Sequence, residues 1–179
     1  MPKQLNFDNR IVACICEGSA EEAIMTILLE NNKLKFTTSQ LLEEQLIRER
    51  AAKQFEKKYL RQEFGKLITI VRILDSKHET FTVSKAYKPK IDEVINIITA
   101  PEIEKLIILH ENKFTAWNNS KLKPSLYCKQ ELGFTDVKKP EFVRNYFSDV
   151  KDLVSAIREY KRVSKLDKNE YCLCDLLSN

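Results

Sequence analysis

The chain has 179 residues, of which 43% are apolar and 31% are charged. This length and composition are typical of one globular domain, at most with a helical appendage, and they exclude a disordered chain. The 30 basic and 26 acidic residues are interleaved, so the net charge of +4 permits contact with nucleic acid without requiring it. No apolar run approaches the ~20 residues that a spanning helix needs, and the amino terminus is polar. We therefore expect a cytoplasmic protein that does not enter a membrane.

The first predicted elements are a strand and a helix. Residues 10–16 form an apolar run that predicts a buried strand. A helix is expected from Ser19 to Asn32, because apolar residues then recur at helical spacing. Ser19 is a favourable amino-terminal cap, and Glu22 three residues later would complete a capping box.

The next segment predicts a long helix between two strands. Leu34 and Phe36 indicate a short strand. Apolar residues at helical spacing over residues 39–64 predict one long charged helix. Residues 67–74 are a β-branched run that predicts a central strand.

The second half of the chain turns from mixed elements to helices. Residues 78–90 predict a loop with one extended stretch, residues 93–98 another buried strand, and residues 99–109 a helix. From about residue 113 the pattern is helical only, most strongly over residues 149–165. Alternating strands and helices favour the α/β class, with a mainly parallel sheet flanked by helices.

This change of pattern also predicts the organisation of the chain. We expect an α/β core over residues 1–112 and an all-helical carboxyl-terminal extension over residues 113–179 that packs on it.

The five cysteines form two Cys-x-Cys pairs and one single residue: Cys14, Cys16, Cys128, Cys172 and Cys174. Four thiolates could hold zinc, but this spacing differs from the usual zinc knuckle. Residues two apart on a strand share a face, where cysteine behaves as a small apolar residue. We therefore favour buried free thiols over a zinc site.

Acidic residues follow three of the predicted strands. Glu17 ends the first strand, Asp75 follows the strand at 67–74, and Glu102 and Glu104 follow the strand at 93–98. Because parallel strands end at one edge of a sheet, these carboxylates could converge there. Such a group suits Mg²⁺, which takes oxygen ligands. The alternative is that the glutamates merely favour helix amino termini and that Asp75 is a solvated loop residue.

Two short motifs resemble a known family. The stretch from Ile15 to Glu21, a strand closing on Glu-Gly with a further acidic residue soon after, resembles the first motif of TOPRIM domains. Residues 97–110 are similar to a Pro-x-x-Glu helix start in the small RloB-type TOPRIM proteins of bacterial restriction and phage-defence loci. The resemblance covers about residues 10–115.

The resemblance implies a Rossmann-like core with a Mg²⁺ site. In TOPRIM domains the Glu-Gly glutamate, here Glu17, acts with an Asp-x-Asp pair, of which Asp75 fills the first position. The RloB-type match adds Glu104 as a metal ligand. The second aspartate position holds Lys77, a departure that brings a positive charge into a cation site. Lys77 would weaken metal binding or would itself contact phosphate. Either Glu79 substitutes from the loop, or the site has lost its metal and retains only a binding role.

Other residues are candidates for proton transfer or phosphate binding. His78 follows Asp75 and is a candidate general base. Arg72 interrupts an apolar strand, so its charge needs a carboxylate or phosphate partner.

A basic cluster on the last long helix predicts a nucleic-acid face. It comprises Arg158, Lys161, Arg162 and Lys165. Pairing with Glu159 and its neighbours along the helix is the ordinary alternative.

The sequence leads to one main functional hypothesis and one alternative. The main hypothesis is a TOPRIM-like, Mg²⁺-dependent nuclease of a bacterial or mobile-element defence system, with Glu17, Asp75 and His78 as the catalytic candidates. The alternative is a non-catalytic interaction or nucleic-acid-binding protein that retains a degenerate TOPRIM fold. A nucleic-acid partner is expected in the first case and a protein partner is possible in the second, whereas the sequence does not predict the oligomeric state.

Overall fold

The computed structural model of the chain describes residues 4–77 and 79–178. In it, three strands form an all-parallel sheet in the order β1–β2–β3. Strand β1 spans Ile11–Cys16, β2 spans Ile68–Leu74 and β3 spans Ile91–Ile98. The predicted α/β class with a parallel sheet is confirmed, and the arrangement is consistent with a Rossmann-like core.

The central strand is buried along its whole length because both faces of the sheet are covered. On one face, side chains of β1 and β2 such as Cys14 and Val71 belong to the larger of the two apolar cores. On the other face, Ile15 and Ile70 pack with Phe55 and further apolar residues in the smaller core. In strand β3 only Ile95, Ile97 and Ile98 are buried, so the expectation of a buried strand over residues 93–98 holds for these three residues alone.

Helix α1 spans Ser19–Glu30, close to the predicted bounds. The residue at its amino-terminal cap is Gly18, and the Ser19 hydroxyl donates instead to the carbonyl of Lys138 at 3.1 Å. The predicted capping box between Ser19 and Glu22 is therefore wrong. At the end of this region, Leu34 makes only a single β-bridge, with Leu177, rather than a strand.

The predicted long helix over residues 39–64 is also wrong. This segment contains two short 3₁₀ turns, an extended stretch and only one α-helix, α2, over Ala52–Tyr59. The extended stretch lies beside β1, where Cys16 N–H donates to the Ile47 carbonyl at 2.9 Å and Ile47 N–H donates to the Cys14 carbonyl at 2.8 Å. The hydrogen-bonding demand of the sheet edge thus overrides the local helical pattern.

After β3 all named elements are helical, as expected from the sequence. They are α3 Lys105–His110, α4 Phe114–Ser120, α5 Pro124–Gln130, α6 Pro140–Tyr146, α7 Val150–Val163 and α8 Leu173–Leu176. Helix α3 begins later than predicted, because residues 99–104 form a turn-rich connection. Helix α7 is capped by Asp149, whose carboxylate accepts from Lys151 N–H at 2.8 Å.

The free edge of β3 is partly covered by the carboxyl-terminal segment. Ile97 forms a parallel bridge with Tyr171, and Ile98 N–H donates to the Tyr171 carbonyl at 2.8 Å. Residues beyond 113, such as Trp117 and Leu153, belong to the same apolar core as Val12 of β1. Across residues 4–77 and 79–178, no helix combines the length and apolarity needed to cross a membrane.

Candidate functional site

The carboxyl ends of β1 and β2 bring two predicted site residues together. The backbone N–H of Asp75 donates to Glu17 Oε2 at 3.2 Å. Glu17 is largely enclosed, with 11% of its side chain exposed, whereas Asp75 is exposed. The parallel sheet explains this meeting, because Glu17 and Asp75 each follow the last residue of neighbouring strands.

The carboxylate of Glu17 belongs to a row of alternating charges on the α2 face of the sheet. Arg50 forms an ion pair with Glu17 Oε1, and its Nη2 also lies 3.1 Å from Glu79 Oε1. The other oxygen of Glu79 accepts from Arg72 Nη2 at 2.9 Å. We call the four residues Glu17, Arg50, Glu79 and Arg72 the charge row. Each carboxylate in it is matched by a guanidinium.

Arg72 is the buried end of the charge row. Its residue is 1% exposed, and its Nη1 donates to Asn96 Oδ1 at 3.3 Å and to the Glu79 carbonyl at 3.4 Å. The guanidinium lies 5.0 Å from the ring centroid of Phe81. Burial lowers the pKa of Arg72 from its ordinary value, while the nearby Glu79 carboxylate opposes that change. The charge that interrupts the strand pattern is therefore partnered by a carboxylate.

Lys77 does not contribute its charge to this site. Its Nζ lies 2.7 Å from Glu170 Oε2 and 3.7 Å from Asp167 Oδ2, both in the carboxyl-terminal segment. The hydrogen bond to Glu170 raises the pKa of Lys77. The expectation that Lys77 places a positive charge among the site carboxylates is therefore wrong. In the structure Arg50 supplies that charge. His78, the candidate general base, lies outside the described residues.

Glu104 lies in a second acidic group rather than beside Glu17. Its pKa is raised to about 7, mainly by burial and also by the charges of Glu102 and Glu21, whereas a backbone hydrogen bond and Lys138 oppose the shift. Burial also raises the pKa of Glu21, with a contribution from the charge of Asp75. We call Glu21, Glu102 and Glu104 the inner acidic cluster. Lys138 Nζ lies 3.6 Å from Glu102 Oε1 and forms an ion pair with it.

Gly18 makes room for the inner acidic cluster. A Cβ atom at this position would lie 2.6 Å from Glu21 Oε2. The glycine of the Glu-Gly motif thus lets the buried Glu21 carboxylate fold back over the start of α1. Sequence reasoning noted an acidic residue after this motif but did not assign Glu21 to the site.

The predicted Mg²⁺ ligands do not fit the ion in this arrangement. One oxygen of Glu17 is engaged by Arg50 and the other by the Asp75 amide, while Glu104 belongs to a different cluster. In the part of the chain that the structure describes, no three His, Cys, Asp or Glu side chains form a group that could hold a metal ion.

Three of the four basic residues predicted on the last long helix lie within α7, and they have different surroundings. Lys161 forms an ion pair with Asp175, and Arg162 Nε donates to Glu159 Oε2 at 2.7 Å. The ordinary alternative of pairing along the helix therefore applies to Arg162. Arg158 instead lines an open groove of about 900 Å³ between α7, the end of α3 and the carboxyl-terminal residues.

This groove, which we call the α7 groove, carries an excess of positive charge. Four basic side chains and one carboxylate are among its lining residues: Lys33, Lys151, Arg158, Arg162 and Glu159. Lys151 and Arg158 are exposed and lie on the same helix. The groove can therefore offer several cationic groups to a polyanion.

Comparison with protein-family models found no match, and comparisons with curated proteins and with solved structures found none either.

Proposed function

We propose that this chain is a TOPRIM-like protein that binds nucleic acid through the α7 groove and performs no metal-dependent chemistry in the arrangement described. The α7 groove is the observation that carries the proposal, because four basic residues and only one carboxylate are among its lining residues. The resemblance to RloB-type proteins favours a role in bacterial or mobile-element defence. This proposal corresponds to the alternative hypothesis from the sequence, a non-catalytic nucleic-acid-binding protein that retains a degenerate TOPRIM fold.

The physical basis is the neutralisation of phosphates. Lysine and arginine side chains that contact phosphates release condensed counterions, so affinity falls as salt concentration rises. Contacts of this kind carry little sequence information, and the protein should therefore bind strands of different sequence with similar affinity. Arg162 is already paired with Glu159, so Lys151 and Arg158 are the stronger candidates for phosphate contact.

The test is a titration of labelled single-stranded and double-stranded DNA and RNA at several salt concentrations, followed by fluorescence anisotropy. Replacing both Lys151 and Arg158 by glutamine removes two phosphate contacts. For a single strand, the slope of log affinity against log salt should then become shallower by about 1.4, since each contact contributes about 0.7.

A matched control is Lys57→Gln, which removes one exposed charge from α2 on another face of the protein. This variant should bind nucleic acid with nearly the affinity and salt slope of the wild type. Equal losses in the control and in the double variant would show that net charge, and not the α7 groove, determines binding. No detectable binding of any nucleic acid by the wild type would refute the proposal.

A Mg²⁺-dependent nuclease is the second candidate, and the contact between Glu17 and the Asp75 amide favours it. Both residues lie at the sheet edge where ligands of open α/β folds bind. The present pairing of Glu17 with Arg50 does not fit an ion there.

The Arg50→Ala variant separates the two candidates. Calorimetric titration with Mg²⁺ and Mn²⁺ should show tighter binding to this variant than to the wild type if the carboxylates form a cation site once the guanidinium is removed. Glu17→Gln should abolish that gain. Cleavage of nucleic acid by the wild type that requires a divalent cation and disappears in Glu17→Gln would establish the nuclease in place of the binding protein.

A further inference from the structure

Lys105, the first residue of α3, is a buried amine without a carboxylate partner. The residue is 6% exposed, and the only cause that shifts its pKa, to about 8, is burial. A neighbouring carboxylate would raise the pKa instead. Within residues 4–77 and 79–178, no acidic group lies within ion-pair distance of Lys105 Nζ.

The surroundings of this amine hold it in one place. Its Nζ donates to Ser164 Oγ at 3.0 Å. Three aromatic rings face it, with centroid distances of 4.6 Å to Tyr160, 5.4 Å to Phe114 and 5.6 Å to Trp117. Contacts with ring faces stabilise an ammonium group, but they do not supply a negative charge.

Lys105 lines a cavity of about 450 Å³ beyond the carboxyl end of β3. Two more lysines, Lys77 and Lys165, line the same space together with Asn118 and Ser164. Three amines, an amide and a hydroxyl thus surround a volume large enough for a small anion. We call this space the lysine cavity.

Other lysines of the protein form ion pairs with carboxylates. Lys77 is held by Glu170, Lys161 by Asp175, Lys58 by Glu49 and Lys90 by Glu63. All four side chains are more exposed than the buried Lys105. A buried ammonium without a partner is costly, so a cavity beside it is where a compensating anion would be bound most favourably.

We propose that the lysine cavity binds the phosphate group of a phosphorylated ligand, with Lys105 as its central cation. An ammonium group has three N–H donors, and one of those of Lys105 is used by Ser164. Lysines act as point charges toward phosphate, and Lys105 and Lys165 can both approach the anion while Lys77 stays paired with Glu170. Phe114, Trp117 and Tyr160 keep the amine at the wall of the cavity before the ligand arrives.

The charges around Lys105 determine the pH dependence of this binding. Lys77 and Lys165 line the cavity, and Glu170 and Asp167 contact Lys77 from the carboxyl-terminal segment. Tyr160 stays neutral because burial raises its pKa to about 12. Lys105 is therefore the cavity group that loses its charge just above neutral pH. From pH 7 to pH 9 its charged fraction falls about tenfold, and phosphate affinity should fall to a similar extent.

The experiment is a calorimetric titration of the full chain with inorganic phosphate and with a nucleoside 5′-monophosphate, at pH 7 and pH 9. The Lys105→Met variant keeps an apolar side chain among the aromatic rings, so it should fold with a Tm no lower than that of the wild type. We expect its phosphate affinity to be at least tenfold weaker at pH 7. Lys113→Met is the matched control, since it removes the exposed lysine that precedes α4, and its affinity should be unchanged.

Two results would overturn the proposal. One is the absence of phosphate and monophosphate binding by the wild type at concentrations up to about 10 mM. The other is equal affinity in the wild type and in a folded Lys105→Met variant. A Lys105→Met variant that unfolds is replaced by Lys105→Gln, which retains a polar group of similar length and is expected to lose the same affinity.

A second pair of probes identifies the source of the phosphate. A dinucleotide with a 5′-phosphate should bind more tightly than the same dinucleotide with a 5′-hydroxyl if the cavity receives the end of a nucleic-acid strand. Equal and weak binding of both, together with binding of the monophosphate, identifies a small phosphorylated molecule. Loss of nucleic-acid binding in the α7 groove variants would leave this result unaffected, because the lining residues of the two sites are different.

Discussion

Replacing Glu104 by glutamine should stabilise the protein at pH 8 much more than at pH 5. The side chain is buried, with 4% of the residue exposed, and burial is the main reason that its pKa rises from 4.5 to about 7. Glutamine has nearly the same shape and cannot ionise. The variant therefore removes the electrostatic cost of a buried carboxylate while largely preserving the packing.

The magnitude follows from the difference between the folded and unfolded pKa. A carboxyl group with a raised pKa binds more protons in the folded state, so its contribution to stability is present below pH 4.5 and is lost as the pH rises through 7. A shift of the pKa from 4.5 to about 7 lowers the free energy of unfolding by about 3 kcal/mol at pH 8 and by about 1 kcal/mol at pH 5. Glu104→Gln should recover these amounts in the free energy of unfolding.

Urea unfolding at both pH values, monitored by circular dichroism, measures the two differences. Glu131→Gln is a suitable control, because that glutamate is exposed after α5 and should change stability by less than about 0.5 kcal/mol at either pH. If the gain from Glu104→Gln is the same at pH 5 and pH 8, then packing and not ionisation causes it. A loss of stability at pH 8 would show that Glu104 is charged and favourably partnered in the folded protein.

Two further substitutions test contacts of the inner acidic cluster and of α6. Gly18→Ala should lower the free energy of unfolding by about 1 kcal/mol, because the new Cβ would lie 2.6 Å from Glu21 Oε2 and must displace that buried carboxylate. An unchanged urea midpoint would show that the Glu21 carboxylate moves at no cost in free energy. Tyr146→Phe should cost about 1 to 2 kcal/mol in the same assay, because the hydroxyl donates to Glu111 Oε1 at 2.6 Å and lies 2.8 Å from His110 Nδ1. Tyr87→Phe serves as its control, and equal effects of the two variants would contradict the role of the Glu111 contact.

The strands and two helices could be predicted because their signals are local. Residues 10–16 and 67–74 are apolar runs of strand length, and α1 and α7 have apolar faces at helical spacing. Their parallel arrangement then explains why Glu17 and Asp75 meet, since both follow the ends of neighbouring strands. The meeting of these residues is a consequence of topology and needs no knowledge of side-chain packing.

The segment over residues 39–64 could not be predicted from its own pattern. Its composition favours a helix, but the backbone around Ile47 instead pairs with β1, and that pairing depends on residues more than 30 positions away. This error also concealed Arg50, which lies at the end of the extended stretch, where it reaches Glu17. On the predicted helix Arg50 would have been one of many exposed basic residues.

The carboxylates at the carboxyl edge of the sheet are therefore neutralised in two physically different ways. Arg50 balances Glu17 with a permanent charge, whereas burial favours a proton on Glu104. A positively charged ligand at Glu17 must compete with a guanidinium, which keeps its charge because arginine side chains do not lose their proton in proteins. A positively charged ligand at Glu104 must displace a proton, so its affinity should rise with pH up to about 7. The pH dependence of cation binding thus identifies which of the two groups is occupied, without a structure of the complex.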